Sequence, residues 1–545
     1  MIIKWLKATS FASLAALMLV AAPACTDDKG NYDYEPKAEV TIKLPESITV
    51  LANAEYIDLK PEITSTLEGE ITDANPNFEF SFKYKDSNGN WVELNKEGKK
   101  DIYMLATLGI GKHVCWYSAT DKRTGVRYSA VVDVKIVVST SEGWMILCDK
   151  PDETVRLDMI SSLTIDRLMP VYDIDLYTDI KPLHHARSLG TFFNARGTIG
   201  DKIVLMSEDN AYLLNNTYLT INGDAYELKT SHFVSLPDDH IVSFHVVPCN
   251  SYITADAVLA VSLEGNAFVW NPWDTGGGAF EEPINTSERA KEPEYRVSPY
   301  IGTSATRSTA LAGYGAALLF DIDNHRFVAW DGDRVSALKQ TLYPLTDPSN
   351  KLFSFNTGNM DLLAMVGTQF SNGAVYCFMQ DGSKRHIYSV NTSDKTFKQE
   401  GCWTNITKPD FDKATLFAAH SQYQTVYYAY QNKVYAYNLG SGVCNLAVTL
   451  PANEEVTLIK FCTYDNPGGV STLTKKMDEE TANKFVARQY KLIVGSYDNS
   501  VADGNGGKVR FYETSSPGTT LTLGSEGEFS GFGRIKDIAY KEVRP

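Results

Sequence analysis

Positive charge is in short supply in this 545-residue chain: 51 Lys and Arg stand against 67 Asp and Glu, a formal net charge of −16. That balance excludes nucleic acid, and anionic lipid, as partners held by general attraction, and is read as keeping an extracytoplasmic protein soluble. Cysteine is scarce too. Its eight copies include no CxxC pair and no metal-finger spacing, which leaves no thiol-redox or zinc motif. The patterns HExxH, GxSxG, P-loop and GxGxxG are absent, as are the SxDxGxxW repeats of sialidase-like propellers. Neither a catalytic motif nor a resident cofactor is therefore expected. Long apolar runs are missing as well: the most apolar stretch, Ala8 to Ala22, is too short to span a bilayer comfortably.

What is present begins with that stretch. Lys4 and Lys7 precede it and Pro23-Ala24-Cys25 closes it, the layout of a secretory signal peptide over residues 1–24. A cysteine directly after small residues is the usual acceptor of a diacylglyceryl thioether, so Cys25 is the expected lipidation site. Ala22 stands where such cleavage sites usually carry Leu. An ordinary secretory cut, with Cys25 an incidental thiol, is the alternative. Residues 25–38, rich in Asp, Gly and Tyr, are expected to form a tether.

The run CTDDKGNYDY from Cys25 to Tyr34 resembles the opening of the PKD-like lipoproteins of the Bacteroidota. The resemblance implies that Thr26, Asp27 and Asp28 act as an export signal to the outer face of the outer membrane. It also implies a place in an uptake locus of the starch-utilisation type, beside a TonB-dependent channel and its substrate-binding lipoprotein.

Residues 39–139 read as an all-β domain with turns about every ten residues. FEFSFKYK and WVEL flank Ser87-Asn88-Gly89-Asn90, and an Asn-Gly pair supplies the positive φ angles of a hairpin turn. Two long strands joined by DKRTG follow, which fits a small immunoglobulin-like sandwich. The phrase YSATDKRTGVRYSAVVDVKIVV resembles the last two strands of a PKD-like domain.

Residues 140–545 repeat a looser unit. Apolar hairpins with polar turns occupy 143–160, 202–216, 257–272, 316–332, 374–391, 425–439 and 491–513. Met145, Val204, Val258, Ala317, Val375, Val426 and Leu492 recur at steps of 51 to 66 residues, near the length of a four-stranded propeller blade. A seven-bladed β-propeller is expected, closed by the C-terminal strand GRIKDIAYKEV (533–543) in the blade of Trp144. The segment 474–492 is the one clear helix candidate, to Ala487 at least, read as an insertion.

With Cys25 set aside, seven cysteines remain in largely apolar surroundings and are read as buried small hydrophobes. His184 and His185, and His240 and His245, have spacings that on a strand point them to opposite faces, which makes them poor joint metal ligands. DNSVADGNGG (498–507) has oxygen ligands and glycines that calcium favours but lacks EF-hand spacing, and reads first as a hairpin tip. Tryptophan beside acid or glycine is the binding signal sought for sugars, whose C–H faces stack on indole. Trp273 and Asp274 in NPWDTGGGAF, Trp330 in AWDGDR and Trp403 in GCWTN are the candidates, weighed against the plainer reading that each packs between blades.

The expectation is thus an all-β, lipid-anchored outer-membrane protein exposed at the cell surface or facing the periplasm. It would bind a glycan or peptide without catalysis, on a propeller face near the channel. A propeller-based glycoside hydrolase or lyase, and a purely structural subunit of the uptake complex, are the alternatives.

Overall fold

The computed structural model describes residues 38–192, 202–233, 239–247, 257–270, 280–286, 293–304, 316–331, 341–393, 395–462, 474–475 and 477–542. Cys25, Thr26, Asp27, Asp28, Trp273 and Asp274 lie outside them. Two compact units are formed, neither continuous in sequence. The first takes residues to Ser47, Ile57–Met104 and His113–Asp133; the second takes Ile48–Tyr56, Leu105–Lys112 and everything from Val134.

In the first unit four strands lie side by side in the order Trp91–Glu93, Phe78–Lys85, Gly111–Asp121, Arg127–Val137. Phe78, Phe80 and Phe82 alternate with Glu79, Ser81 and Lys83 along one strand, so one sheet face carries the apolar set and the other the polar set. The hairpin turn forms where Asn88-Gly89 announces it: Asp86 Oδ1 accepts from the backbone N–H of Asn88 (2.9 Å) and Asn90 (2.8 Å), and Gly89 takes φ 81°. A smaller sheet pairs Val40–Lys43 with Glu62–Ser65 and that with Gly69–Glu70.

The second unit is a seven-bladed β-propeller. Blade 1 holds Gly143–Asp149, Val155–Thr164 and Arg167–Val171. Blade 2 holds Ala186–Phe192, Lys202–Ser207 and Ala211–Leu214, and blade 3 Ile241–Val247, Ala257–Ser262 and Ala267–Trp270. Blades 4 to 7 each have four strands, beginning respectively at Gly302–Thr303, Asp361–Gly367, Leu416–Ala419 and Glu454–Lys460. The last strand of the chain, Arg534–Lys541, pairs antiparallel with Gly143–Asp149, matching Trp144 with Tyr540 and Met145 with Ala539, and becomes the innermost strand of blade 1. Innermost strands of neighbouring blades touch one another from blade 4 through blades 5, 6, 7, 1 and 2 to blade 3, which sets them around the axis.

Closure is visible in the core. Seven separate apolar clusters are found, one between each pair of neighbouring blades, and the cluster between blades 7 and 1 joins Ile493, Val509 and Phe511 to Trp144, Ile535 and Ile538. The reason lies in the hairpins read from sequence. Their strands are buried on both faces, as in AVLAVS and AALLFD, because each blade is covered by a neighbour on either side. At the start of blade 1 only glycine fits: a Cβ on Gly143 would stand 2.1 Å from the Ile160 carbonyl oxygen.

The insertion in blade 7 contains the helix Glu479–Ala487, shorter at its start than the composition suggests. Asp478 caps it, accepting from Thr481 N at 2.9 Å, and fixes the first turn there. Burial pushes up the thiols of Cys115, Cys148, Cys377, Cys402 and Cys444, Cys115 to about 12, which makes them inert packing groups.

Candidate functional site

Antiparallel pairing inside each blade sends loops alternately to two faces of the propeller. One face carries the links between blades together with the turns between second and third strands. On that face, near the propeller axis, blades 7, 1 and 2 bring charged side chains together.

Blade 1 supplies Arg534 and Lys536, near the start of its innermost strand. Arg534 Nη2 reaches Glu455 of blade 7 at 2.6 Å, and Lys536 Nζ reaches Asp149 at 3.2 Å. Asp149 Oδ1 also accepts from Ala186 N at 2.8 Å, which ties the entry of blade 2 to blade 1. Arg187 Nη2 pairs with Glu208 Oε1 at 2.5 Å within blade 2. Tyr300, entering blade 4, has its hydroxyl pKa raised by burial and partly restored by the charge of Arg187.

Deeper in the channel, Lys460 Nζ of blade 7 meets Asp537 Oδ1 of blade 1 at 2.7 Å. Asp537 Oδ2 accepts from Leu189 N of blade 2 at 2.9 Å, so one carboxylate joins three blades. His245, on the innermost strand of blade 3, keeps exposed surface yet is enclosed by the surrounding strands, as a channel-lining ring must be. That enclosure, with the Lys460 charge second, lowers its pKa to about 4. The ring is thus neutral at pH 7, beside an ion pair. Four carboxylates and four cations alternate here in matched pairs, an arrangement able to exchange hydrogen bonds with a polar ligand through groups already fixed in place.

The histidines singled out by spacing serve another purpose. His184 and His185 lie in the link before blade 2, and His185 takes φ 54°. Asp209 Oδ2 accepts from His184 N at 2.8 Å and sits 2.9 Å from its Nδ1, while Glu208 N donates to the His185 carbonyl at 3.0 Å. Blade 4 repeats the latch: Asp323 Oδ2 accepts from Arg296 N at 2.7 Å and Ile322 N donates to the Arg296 carbonyl at 3.0 Å. In blade 3 Leu263 N donates to the His240 carbonyl at 2.9 Å. These residues fasten the links into blades 2, 3 and 4 to the turns beside them. Among the described residues no cluster of three or more His, Cys, Asp or Glu is arranged to hold a metal ion.

The loop 498–507 is the turn between the second and third strands of blade 7. Asp498 accepts from Ser500 N (2.9 Å) and Oγ (2.5 Å), bonds that lower its pKa to about 2. Asn505 Oδ1 accepts from Arg156 Nη1 of blade 1 at 2.6 Å. The acids and amides of this loop hold the loop itself.

Of the candidate tryptophans, Trp330 is 1% exposed and belongs to the cluster between blades 3 and 4. The neighbouring Asp331 and Asp333 made it a candidate, but it lies within the buried strand Arg326–Asp331 and packs between blades, the plainer of the two readings. Trp403 ends the last strand of blade 5, packs over Gly401 and donates from Nε1 to the Leu439 carbonyl of blade 6 at 3.0 Å. The two rings belong to different interfaces and form no common site. Arg187, His245, Lys460 and Asp537 were passed over as site residues, because they are brought together from blades far apart in sequence. A polar residue within an inner strand, as in SFHVV or RIKDIAYK, is the signal that marks them.

Residues 25–182 match the model of the PKD-like family. Similar solved structures include a quinonprotein alcohol dehydrogenase-like protein from Bacteroides thetaiotaomicron, at 11% identity and TM-score 0.40, covering 90% of this chain and 96% of that one. AztD from Citrobacter koseri, in its apo form, aligns at 12% identity and TM-score 0.31 over 85% of this chain and 98% of its own. A chain of a mitotic checkpoint complex aligns at 10% identity and TM-score 0.34, over 68% and 92%. No curated protein matched the chain.

Proposed function

We propose that this chain is a non-catalytic binding or scaffold protein of the cell envelope, held by lipid on Cys25 and working beside an outer-membrane nutrient-uptake channel. Support for the anchor comes from Lys4, Lys7 and the apolar run before Cys25, and from a PKD-like match that begins at Cys25 itself. Thr26, Asp27 and Asp28 then direct it outward. The observation that carries the binding reading is the channel mouth. Arg187, Arg534, Lys536 and Lys460 each stand against a carboxylate, so the site offers fixed hydrogen-bonding groups of both signs. A glycan or peptide segment, or a loop of the channel protein, meets those groups there.

Two experiments test this. Cys25→Ser should move the protein from the envelope fraction to the soluble fraction; unchanged retention would refute the anchor. An array of glycans and peptides probed with the full chain should give a ligand whose binding weakens at least tenfold with Lys460→Ala. A hit insensitive to Lys460→Ala and Arg187→Ala would remove the channel from the account. The convergence of Asp537, Lys460 and His245 favours a second reading, a glycan-cleaving enzyme. Release of new reducing ends by the purified chain, lost with Asp537→Asn, would establish that reading in place of the first.

A further inference from the structure

We infer that the first unit carries its own binding site for neutral glycans, on the polar face of its larger sheet, separate from the propeller channel. The inference rests on the binding reading above and extends it to a second surface.

Antiparallel register puts the relevant side chains on one face. Lys83 lies directly opposite both Glu93 and Trp116, and Lys85 lies opposite Trp91. Ser81 is opposite Ser118, two residues along each strand, so all seven share the face. Trp91 is 52% exposed although it is the largest apolar side chain of its strand. Its ring meets Trp116 edge-on, with centroids 4.9 Å apart at 84°, and Lys85 Nζ lies 5.1 Å from its centroid. The indole is therefore held in a set orientation by two neighbours while half of it remains open. Val114 and Val131 are also exposed, at 39% and 49%, and widen the patch.

Around the rings the polar groups are already fixed. Glu93 Oε2 accepts from Ser81 Oγ at 2.7 Å and stands 3.5 Å from Lys83 Nζ, and its Oε1 accepts from Phe82 N at 2.9 Å. Burial alone would raise the Glu93 pKa, but these bonds hold it below the usual carboxylate value. Ser118 and Ser129 share a hydrogen bond at 3.1 Å. A pyranose needs an aromatic face for its C–H groups and rigid donors and acceptors at its hydroxyl rim, and this face offers both within one hairpin and its neighbour.

Charge selects the ligand further. Lys83 and Lys85 are matched in number by Glu93 and Glu79 on the same face, so the patch is close to neutral, on a chain of net charge −16 that repels polyanions. An exposed sheet face of this kind suits the flat side of a polysaccharide. A neutral glycan is accordingly the occupant.

Affinity gel electrophoresis of the detergent-solubilised full chain tests this, with soluble starch, xylan, mannan, β-1,3-glucan and hydroxyethylcellulose as probes. At least one probe should retard the chain. Trp91→Ala should weaken that retardation at least tenfold, Trp91→Phe should keep it within threefold, and both variants should melt like the parent. The same glycan should shield tryptophan fluorescence from acrylamide in the parent and not in Trp91→Phe. Equal retardation of the parent and Trp91→Ala overturns this inference and leaves the channel reading intact. No retardation by any of the five probes overturns it too, while peptide or channel-protein binding through Lys460 would still stand.

Discussion

The propeller buries three tryptophans between its blades and the sandwich displays one. Trp144, Trp270 and Trp330 are 1–2% exposed, each wedged between blades, whereas Trp91 keeps half its surface in water. The same residue type thus answers two different needs. A blade has a neighbour on both sides and must fill two interfaces, so large rings disappear into them. A sandwich strand has one covered face and one open face, and a large ring on the open side is held there by something other than packing. An aromatic count cannot separate these cases; the number of covered faces can.

The comparison can be broken at its strongest point first. Ending the chain after Phe532 removes Ile535 and Ile538, both fully buried, and leaves blade 1 without its inner strand. The propeller should lose its cooperative thermal transition in circular dichroism; an unchanged transition would mean that the ring does not depend on its clasp. Next comes the buried ion network of blade 7. Glu454 is held by Arg510 Nη1 (2.8 Å), Lys508 Nζ (2.7 Å) and Ser496 Oγ (2.8 Å). Burial would raise its pKa, but these partners bring it below the usual value. Arg510→Met strips one partner from a buried carboxylate and should cost about 3–5 kcal/mol in denaturant unfolding. Lys85→Met on the open sandwich face should cost less than about 1 kcal/mol.

Trp144→Ala should destabilise by about 3–5 kcal/mol, since the ring packs on Phe511 and Tyr540 and lies beneath the Arg488 guanidinium. Equal losses for Trp144→Ala and Trp91→Ala would erase the contrast. The pH dependence sharpens it. His420 of blade 6 is fully buried, its Nδ1 accepts from Gln422 N at 2.9 Å, and burial lowers its pKa to about 4. The unfolded chain takes up this proton near pH 6.5 and the native state does not. Stability should therefore fall as pH drops from about 6.5 towards 4, by about 3 kcal/mol from this residue. His232 and His245, also lowered to about 4, add to the same slope. In His420→Gln the slope should be shallower. Smallest is Trp91→Ala, below about 1 kcal/mol in stability, its effect reserved for binding.

Much of the fold was legible because propeller hairpins write themselves plainly. In blades such as the third and fourth, the second and third strands are covered on both faces, so they read as largely apolar runs with a polar turn between them. The edges of the blades were not legible. Gly302–Thr303 and Tyr343–Pro344 are two residues long, and inner strands such as Ile241–Val247, with Ser243 and His245, mix polar and apolar positions. The channel mouth was hidden for a related reason: Asp537, Lys460 and Leu189 meet only when the ring closes. For Trp330 and Trp403 the acid or glycine beside them left both readings open, because the neighbouring blade that packs on each is not local in sequence. Trp91 was readable in the hairpin FEFSFKYK-WVEL, where alternation already sets it on the side opposite the phenylalanines.

Closure of the ring by its last strand carries the architecture on which the channel site depends. Met145 and Ala539 are directly paired across the clasp, and both belong to the face towards blade 2. In Met145→Cys/Ala539→Cys, mild oxidation should give a disulfide-linked peptide pair in mass spectrometry and a higher midpoint of thermal unfolding that reductant reverses. Failure to cross-link, with the midpoint unmoved, would contradict the closed propeller.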